Sequence, residues 1–215
     1  MTLVFFDMDD TLLAGDAEAA WAKHMAESGI MQDDGFEQKI KEFDEDYRRG
    51  NLDFSVYTKF LLDPIKGMTL KEVRDIVRPF CIGIVRDFKD PTTQVLLERH
   101  LHDECLITSG TLSFIVTEIA DLLGIAVSFG TDAEIKEGRY TGRVSGKPNF
   151  GEEKVRKIKN WLGDRSLPET IAYSDSINDF PLLEFSTKAV VVNPDSKLRE
   201  VARSSGWEID DSRNA

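Results

Sequence analysis

Residues 4–13 read VFFDMDDTLL and place a short apolar, aromatic-rich run directly before a cluster of carboxylates. The apolar run has no helical stripe, so we expect Thr2 to Asp7 to form a buried β-strand. Carboxylates as close as those of Asp7, Asp9 and Asp10 repel one another, and each then favours its protonated form. Either a ligand compensates for this repulsion or the cluster is a solvated acidic turn. The rest of the chain decides between these two interpretations.

Composition narrows the class of protein. With 215 residues, the chain can form one large domain or a main domain with a smaller insert. Its net charge of −12 argues against a nucleic-acid partner, because phosphate backbones attract basic surfaces. No apolar run approaches the roughly 18 residues that span a membrane, and no secretory signal is visible. Cys81 and Cys105 have no CxxC spacing, so we expect reduced thiols in a cytoplasmic protein. The sequence indicates no obligate protein partner.

The spacing of apolar residues changes along the chain. From about Ala17 to Arg86 the sequence has helical patterns and no convincing strand. Helices are predicted there at Ala17–Ser28, Gly35–Arg49, Phe54–Leu62 and Thr69–Ile82. After Pro91 helices alternate with strands predicted at Glu104–Ile107, Ile125–Phe129, Thr170–Tyr173 and Ala189–Val192, and a hairpin is predicted at Glu134–Val144. This alternation predicts a doubly wound parallel sheet. We expect an α/β core domain from residues 1–15 and 87–215, an all-helical insert from residues 16–86, and a frayed tail at Asp210–Ala215.

Polar residues follow several of these strands. In open α/β sheets, ligands bind just beyond the carboxyl ends of the strands. The residues that the sequence places at this edge are Asp7, Asp9, Thr108, Ser109, Asp175, Asn178 and Asp179, with Lys154 near the start of a following helix. Carboxylate oxygens suit Mg²⁺, whereas amides, hydroxyls and an ammonium suit phosphoryl oxygens. The pattern therefore predicts a site for a phosphate and a hard divalent cation.

These motifs resemble those of the haloacid dehalogenase-like (HAD) phosphohydrolases. The four family motifs occur in order as the DxDxT stretch Asp7–Thr11, the strand ending in Thr108, then Lys154, and the acidic segment Asp175–Asp179. The resemblance covers essentially the whole chain, including a helical C1-type cap after the first motif. It is closest to the subgroup that contains phosphoserine phosphatase and the HAD-type histidinol-phosphate phosphatases.

The resemblance implies a role for each residue. Asp7 would be the nucleophile that forms an aspartyl-phosphate, and Asp9 would protonate the leaving group and then deprotonate water. Mg²⁺ would be held by Asp7, the backbone carbonyl of Asp9 and Asp175. The remaining roles are phosphate binding by Thr108 and Lys154, and orientation of the metal surroundings and the phosphate by Asn178 and Asp179.

Several residues have competing interpretations. Ser109 competes with Thr108 for the phosphate, and Lys147 and Lys157 compete with Lys154. Thr108 could also simply end a strand, but we favour it for the phosphate. We favour Lys154 because it fits the subgroup pattern at Gly151–Val155. The three histidines are expected to have no catalytic or metal-binding role. His100 and His102 are expected in a solvated turn, and His24 is expected to pack within the insert.

Substrate choice would depend on the helical insert. Asp16 lies nine residues after Asp7, where a Glu of phosphoserine phosphatases meets the substrate ammonium, so an amine-bearing phosphate is expected. The helix Asp53–Leu62 has Lys59 but no Arg to bind a carboxylate, which disfavours phosphoserine. Together with Trp21 and other aromatic residues, this pattern favours a ring-bearing amino alcohol phosphate such as L-histidinol phosphate.

Three other functions stay open. A phosphoserine phosphatase would need Arg48 or Arg49 to reach the pocket, and a broad-specificity housekeeping phosphatase would accept many small phosphate monoesters. A non-catalytic phosphate-binding regulatory protein is the third. The intact pair of Asp7 and Asp9 argues against it, because a binding protein needs neither nucleophile nor acid.

Overall fold

The core of the protein is a parallel β-sheet. The computed structural model describes residues 2–30, 35–49, 51–165 and 169–213, apart from the side chains of Phe36, Glu37, Asp44, Tyr47 and Arg48. Six strands form the sheet, namely β1 (Leu3–Phe6), β2 (Glu104–Leu112), β3 (Val127–Thr131), β6 (Thr170–Ser174), β7 (Lys188–Val192) and β8 (Glu208–Asp210). Their order is β3-β2-β1-β6-β7-β8, and every pairing is parallel. The predicted α/β fold is confirmed.

The composition of β1 follows from its central position. Val4 and Phe6 pack into one hydrophobic cluster, whereas Leu3 and Phe5 pack into the cluster on the opposite face. Because side chains alternate along a strand, a strand covered on both faces has to be apolar throughout. Phe6 pairs with Ile107 of β2 on one side and with Tyr173 of β6 on the other. The residues that follow these strands therefore meet at one edge of the sheet.

Helices surround the sheet and fill the predicted insert. The structure has α1 (Ala17–Glu27), α2 (Phe36–Arg49), α3 (Phe54–Leu62), α4 (Leu70–Phe88), α5 (Pro91–Arg99), α6 (Ser113–Leu123), α7 (Glu152–Leu162), α8 (Phe180–Phe185) and α9 (Ser196–Ser205). The predicted hairpin is present as β4 (Ala133–Lys136) and β5 (Arg139–Val144). None of the helices in the described ranges is both long and apolar enough to cross a membrane.

The helical insert shares its hydrophobic core with the rest of the chain. Trp21 of α1, Leu61 of α3 and Val73 of α4 belong to the same buried cluster as Ile115 of α6 and Tyr140 of β5. Thr69, just before α4, also makes an isolated bridge to Arg139. The insert is thus packed on one face of the sheet, and its division from the core at residues 15/16 and 86/87 stays a prediction.

Two expectations about surface segments were wrong. His100 is only 5% exposed, and its ring lies between the Tyr173 hydroxyl (2.7 Å) and the Asp103 carboxylate (3.0 Å), whereas His102 is exposed as expected. The turn after α5 folds this imidazole against the sheet, where two polar partners offset the cost of its burial. The tail is ordered at least to Arg213, because its guanidinium binds the Asp90 carboxylate; residues 214–215 lie outside the described ranges.

Gly130 allows β3 to approach the start of α6. A Cβ atom there would lie 2.6 Å from both the Ser113 Cα and the Thr111 carbonyl oxygen. Backbone atoms cannot move aside cheaply, so we expect Gly130→Ala to lower the free energy of unfolding by about 1–3 kcal/mol. The measurement is denaturant unfolding monitored by circular dichroism.

Gly83, inside α4, provides the matched control. A Cβ atom at this position meets no atom within 4 Å. Gly83→Ala should raise the free energy of unfolding by about 0.5–1 kcal/mol, because glycine is unfavourable inside a helix. Equal stability of the two alanine variants would contradict the close approach at Gly130.

Candidate active site

A cavity of about 160 Å³ lies at the carboxyl edge of the sheet. The predicted site residues that line it are Asp7, Asp9, Asp16, Ser109, Lys154, Asp175, Asn178 and Asp179. They come from segments far apart in sequence, and the parallel sheet brings those segments to one edge. Two predicted residues, Thr108 and Trp21, do not line the cavity in the described structure.

Lys154 lies at the centre of the acidic cluster. Its ammonium nitrogen Nζ is 2.7 Å from the Asp7 Oδ1 atom and 2.7 Å from the Asp179 Oδ2 atom. The hydroxyl of Ser174, at the end of β6, donates to the same Asp179 oxygen (2.8 Å). Burial works against the charged ammonium, but the attraction of Asp179 and Asp7 outweighs it, so the pKa of Lys154 is raised. The lysine is thus held as a buried cation.

Competing lysines are placed elsewhere. Lys157 donates to the Gly130 carbonyl (2.7 Å) and binds the Asp132 carboxylate. Lys147 is exposed. Neither is among the described residues that line the cavity, whereas Lys154 is.

Asp9 is held by three hydrogen bonds. Its Oδ1 atom accepts from the Ala17 backbone N–H at the start of α1 (2.7 Å). Its Oδ2 atom accepts from the hydroxyls of Ser109 (3.1 Å) and Thr111 (2.7 Å). These contacts fix the carboxyl group between the end of β2 and the first helix of the insert. The side chain is therefore oriented before any ligand enters.

Asp175 is tied to the first motif by Thr11. The Thr11 hydroxyl donates to the Asp175 Oδ1 atom (2.9 Å) and lies 3.4 Å from the Asp7 Oδ2 atom. The threonine of the DxDxT pattern, which carried no assigned role in the sequence, thus links the two acidic motifs.

Burial and mutual repulsion disfavour the ionised forms of the acidic groups in the site. Burial raises the pKa of Asp7 to about 6, although Lys154 acts in the opposite direction. Burial and the nearby charge of Asp16 raise the pKa of Asp9 to about 8, and burial together with Asp7 raises the pKa of Asp175 well above its usual value. One ammonium does not neutralise this set of carboxylates. The cavity has the electrostatics of a cation site.

The donor set fits Mg²⁺. Within the described residues, no group of three His, Cys, Asp or Glu side chains is arranged to hold a metal. Mg²⁺ does not require such a cage, because it keeps several waters and takes one or two carboxylates plus substrate oxygens. Asp7 and Asp175 supply oxygens of this kind beside the Asp9 backbone, whereas Asp179 is bound to Lys154 and Ser174.

Of the two competing hydroxyls in β2, Ser109 is the one that lines the cavity. Thr108 is fully buried, and its Oγ1 atom accepts from the Asn149 amide (3.1 Å). Asn149 also donates to the Ser109 carbonyl (2.9 Å). The preference for Thr108 over Ser109 is therefore corrected. Side chains alternate along the strand, so Thr108 points into the protein and Ser109 points towards Asp9.

The insert forms the opposite wall of the cavity. Its acidic part contains Asp16 and Glu18, and its apolar part contains Ile40, Phe43, Leu52, Phe54 and Tyr57, with Phe150 from the core. Asp16 caps α1 through the Ala19 N–H (2.8 Å). Burial, followed by the charges of Asp16 and Asp9, raises the pKa of Glu18 well above its usual value. The insert therefore presents an acidic patch beside an aromatic wall.

Trp21 faces away from this wall. It is fully buried, and its ring packs edge-on against Phe80 and Phe114 and beside His24. The expected position of Trp21 in the pocket is therefore corrected, whereas the expected packing role of His24 agrees with its contacts. The aromatic pocket residues come from α2, α3 and the loop before α7 instead.

Two candidate cations of the insert, Arg49 and Lys59, are not among the described residues that line the cavity. Arg49 binds Glu45 on the exposed surface (2.9 Å), and Lys59 is exposed. The side chain of Arg48 lies outside the described residues. Among the described residues that line the cavity, Lys154 is the only cation.

Sequence reasoning missed Thr111, Glu18 and Asn149. Thr111 follows Ser109 by two residues, and this same-face spacing on a strand was an available signal. Glu18 lies in the first turn of α1 near Asp16, but only the fold shows that it is buried against the cavity. Asn149 lies in a loop whose sequence carries no comparable pattern.

Comparisons with known proteins agree with this geometry. A family model described as haloacid dehalogenase-like hydrolase matches residues 4–184. The chain is 34% identical to a histidinol-phosphatase of Neisseria meningitidis serogroup C (strain 8013), over 96% of this chain and 97% of that protein. It is 30% identical to a phosphoserine phosphatase of Mycobacterium tuberculosis (strain ATCC 25618 / H37Rv), over 98% of this chain and 71% of that protein.

A solved structure is similar over the whole chain. The crystal structure of a protein of unknown function from Bordetella pertussis Tohama I matches with a TM-score of 0.88 and 32% identity, covering 98% of this chain and 99% of that one. The matched family model includes both acidic motifs and Lys154. The chain belongs to the haloacid dehalogenase-like hydrolase family.

Proposed function

We propose that the protein is a Mg²⁺-dependent phosphomonoesterase that acts on a small amine-bearing phosphate through a phosphorylated Asp7. The observation that carries the proposal is the contact of the buried Lys154 ammonium with Asp7 inside the cavity (2.7 Å). A carboxylate held next to a cation can approach an anionic phosphate, which an isolated carboxylate would repel. The relatives named as phosphatases support the same class of reaction, and the enzyme is a phosphatase of its hydrolase family.

Asp7 and Asp9 divide the chemistry between them. A carboxylate oxygen of Asp7 attacks phosphorus, and the ester P–O bond breaks as the leaving alkoxide takes a proton from Asp9. Asp9 then removes a proton from water, which attacks phosphorus, releases inorganic phosphate and restores the Asp7 carboxylate. The hydrogen bonds from Ala17, Ser109 and Thr111 hold Asp9 for both proton transfers.

The remaining polar residues stabilise charge. Lys154 and Ser109 would bind phosphoryl oxygens, with Asn178 beside them. Asp7, Asp175 and the Asp9 backbone carbonyl would hold Mg²⁺, whose positive charge would offset the repulsion between the carboxylates and the phosphate. Asp179 keeps Lys154 in place.

The cavity wall favours L-histidinol phosphate as the substrate. Asp16 and Glu18 suit a protonated amine, and the side chains of Phe43, Phe54 and Tyr57 suit a ring. Phosphoserine carries a carboxylate as well as an amine. The cavity offers that carboxylate no described cation besides Lys154, which already faces Asp7 and Asp179. The similarity to a histidinol-phosphatase supports the same choice.

Phosphoserine is the second candidate substrate. The similarity to a phosphoserine phosphatase at 30% identity favours it. A broad-specificity phosphatase would instead show comparable kcat/KM values across unrelated phosphate monoesters. Measuring phosphate release from a panel that includes histidinol phosphate and phosphoserine separates these functions.

The first test of the proposed function is metal dependence. Exhaustive treatment with EDTA should abolish phosphate release, and added Mg²⁺ should restore it, because Mg²⁺ offsets the surplus of carboxylates in the cavity. Ca²⁺ should inhibit, since it prefers more oxygen ligands and a looser geometry. Full activity after chelation would contradict a metal-dependent mechanism.

The second test concerns the amine. Asp16→Asn keeps a side chain that caps a helix well but removes its charge. A charge-assisted hydrogen bond is worth ~1.5–3 kcal/mol, so kcat/KM for histidinol phosphate should fall about 10- to 150-fold. The value for 3-(imidazol-4-yl)propyl phosphate, which lacks the amine, should change little.

Asp53→Asn is the matched control variant. Asp53 caps α3 through the Ser55 and Val56 N–H groups and is not among the described cavity residues. This variant should retain the kcat/KM of the wild type on both substrates. Equal losses of Asp16→Asn on the two substrates, or a wild-type preference for phosphoserine, would overturn the assignment.

A further inference from the structure

Arg213, the last described residue, binds backbone carbonyls of the catalytic turn, Met8–Leu12. Residues Met8–Leu12 form one wide turn, closed by the Leu13 N–H on the Met8 carbonyl (2.9 Å). The Arg213 Nη1 atom donates to the carbonyls of Asp10 (2.8 Å) and Thr11 (2.9 Å). The guanidinium is thus hydrogen-bonded to consecutive carbonyls of the turn that follows the nucleophile.

Asp90 fixes the orientation of this guanidinium. The Arg213 Nε atom is 2.7 Å from the Asp90 Oδ2 atom, and its Nη2 atom is 3.3 Å from Oδ1. Both side chains are largely buried, with exposures of 14% and 23%. Thr93, in the same helical first turn that Asp90 caps, donates to the Leu12 carbonyl (2.6 Å). The carbonyls of three successive residues are therefore held from one side.

The turn needs such support. Asp10 has a φ of 54°, in the left-handed region, and a residue other than glycine pays about 1–3 kcal/mol for a sparsely populated backbone conformation. Carbonyls at the end of a helical turn also lack partners within the turn. An arginine fork satisfies several acceptors in a fixed geometry, which a lysine cannot reproduce.

The geometry points to Arg213 as a positioning residue for catalysis. It acts through the backbone, because it is not among the described residues that line the cavity. By holding the carbonyls of Asp10 and Thr11, it fixes the direction of Asp9 towards Ser109 and Thr111 and of Thr11 towards Asp175. This inference rests on the proposed phosphatase function for its effect on turnover.

The chain contains a matched control for Arg213. Arg199 binds Asp211 through two hydrogen bonds (2.7 and 2.6 Å) and so anchors the same C-terminal segment. No described contact joins Arg199 to the turn at Met8–Leu12. Arg199→Ala therefore removes a two-hydrogen-bond Arg–Asp pair from the C-terminal segment but leaves the contacts of the catalytic turn unchanged.

The experiment compares Arg213→Ala, Arg213→Lys and Arg199→Ala in the full chain with Mg²⁺ and p-nitrophenyl phosphate. We expect Arg213→Ala to lower kcat at least 10-fold with less than a twofold change in KM, because the turn carries Asp9, which transfers protons, and none of the aromatic residues of the cavity wall. Millimolar guanidinium should partly restore kcat of this variant. Arg213→Lys should recover little, and Arg199→Ala should keep wild-type kinetics.

Amide hydrogen exchange supplies a readout that does not depend on activity. Peptides that cover Asp7–Ala17 should exchange faster in Arg213→Ala and Arg213→Lys than in Arg199→Ala, with little change in the strands of the sheet. If Arg213→Ala does not fold, Arg213→Lys supplies both measurements.

Two results would overturn the inference. One is a kcat of the Arg213 variants no lower than that of Arg199→Ala, and the other is unchanged exchange in Asp7–Ala17. A wild-type protein that hydrolyses no phosphate monoester, combined with the expected exchange pattern, would refute the proposed function while leaving the structural link intact.

Discussion

The site depends on one ammonium group shared by two buried carboxylates. Lys154 binds Asp7 and Asp179 at 2.7 Å each, and all three side chains are at most 10% exposed. Removing one partner of a buried ion pair costs about 3–5 kcal/mol, because a charge is then left without compensation. The sheet topology allows this triad, since it places the end of β1, the end of β6 and the start of α7 at one edge. The opening cluster of carboxylates is stable only in that setting.

The order of elements and the acidic motifs could be predicted from sequence, because strong periodicity and charge mark them. The helix Phe54–Leu62 was predicted with the bounds that the structure has. What failed was the direction of side chains. Thr108 and Ser109 are adjacent and chemically alike, and only the pleat of β2 decides which one faces the cavity. Trp21 and His100 depend in the same way on long-range packing that local patterns do not contain.

The two walls of the cavity have different physical tasks. The sheet edge supplies charged groups whose positions are fixed by hydrogen bonds, such as those on Asp9. The helical insert supplies acidic and apolar side chains that would select the alcohol part of a substrate. Because both walls share one hydrophobic cluster that runs from Met8 to Val73, changes in the packing of the insert should be transmitted to the catalytic turn. Mutations of residues that line the cavity should therefore change either catalysis or substrate selectivity. Mutations in the shared hydrophobic cluster should change both.

The central claim is that Asp7, held by Lys154, becomes phosphorylated during turnover. The most direct measurement is to quench the enzyme during hydrolysis of histidinol phosphate, reduce it with borohydride and sequence its peptides by mass spectrometry. Borohydride converts an aspartyl-phosphate to homoserine, so we expect homoserine at position 7 only when substrate and Mg²⁺ are both present. Homoserine at position 9 instead, or a reduced residue nowhere in the chain under conditions of steady turnover, would contradict the assignment of Asp7 as the nucleophile.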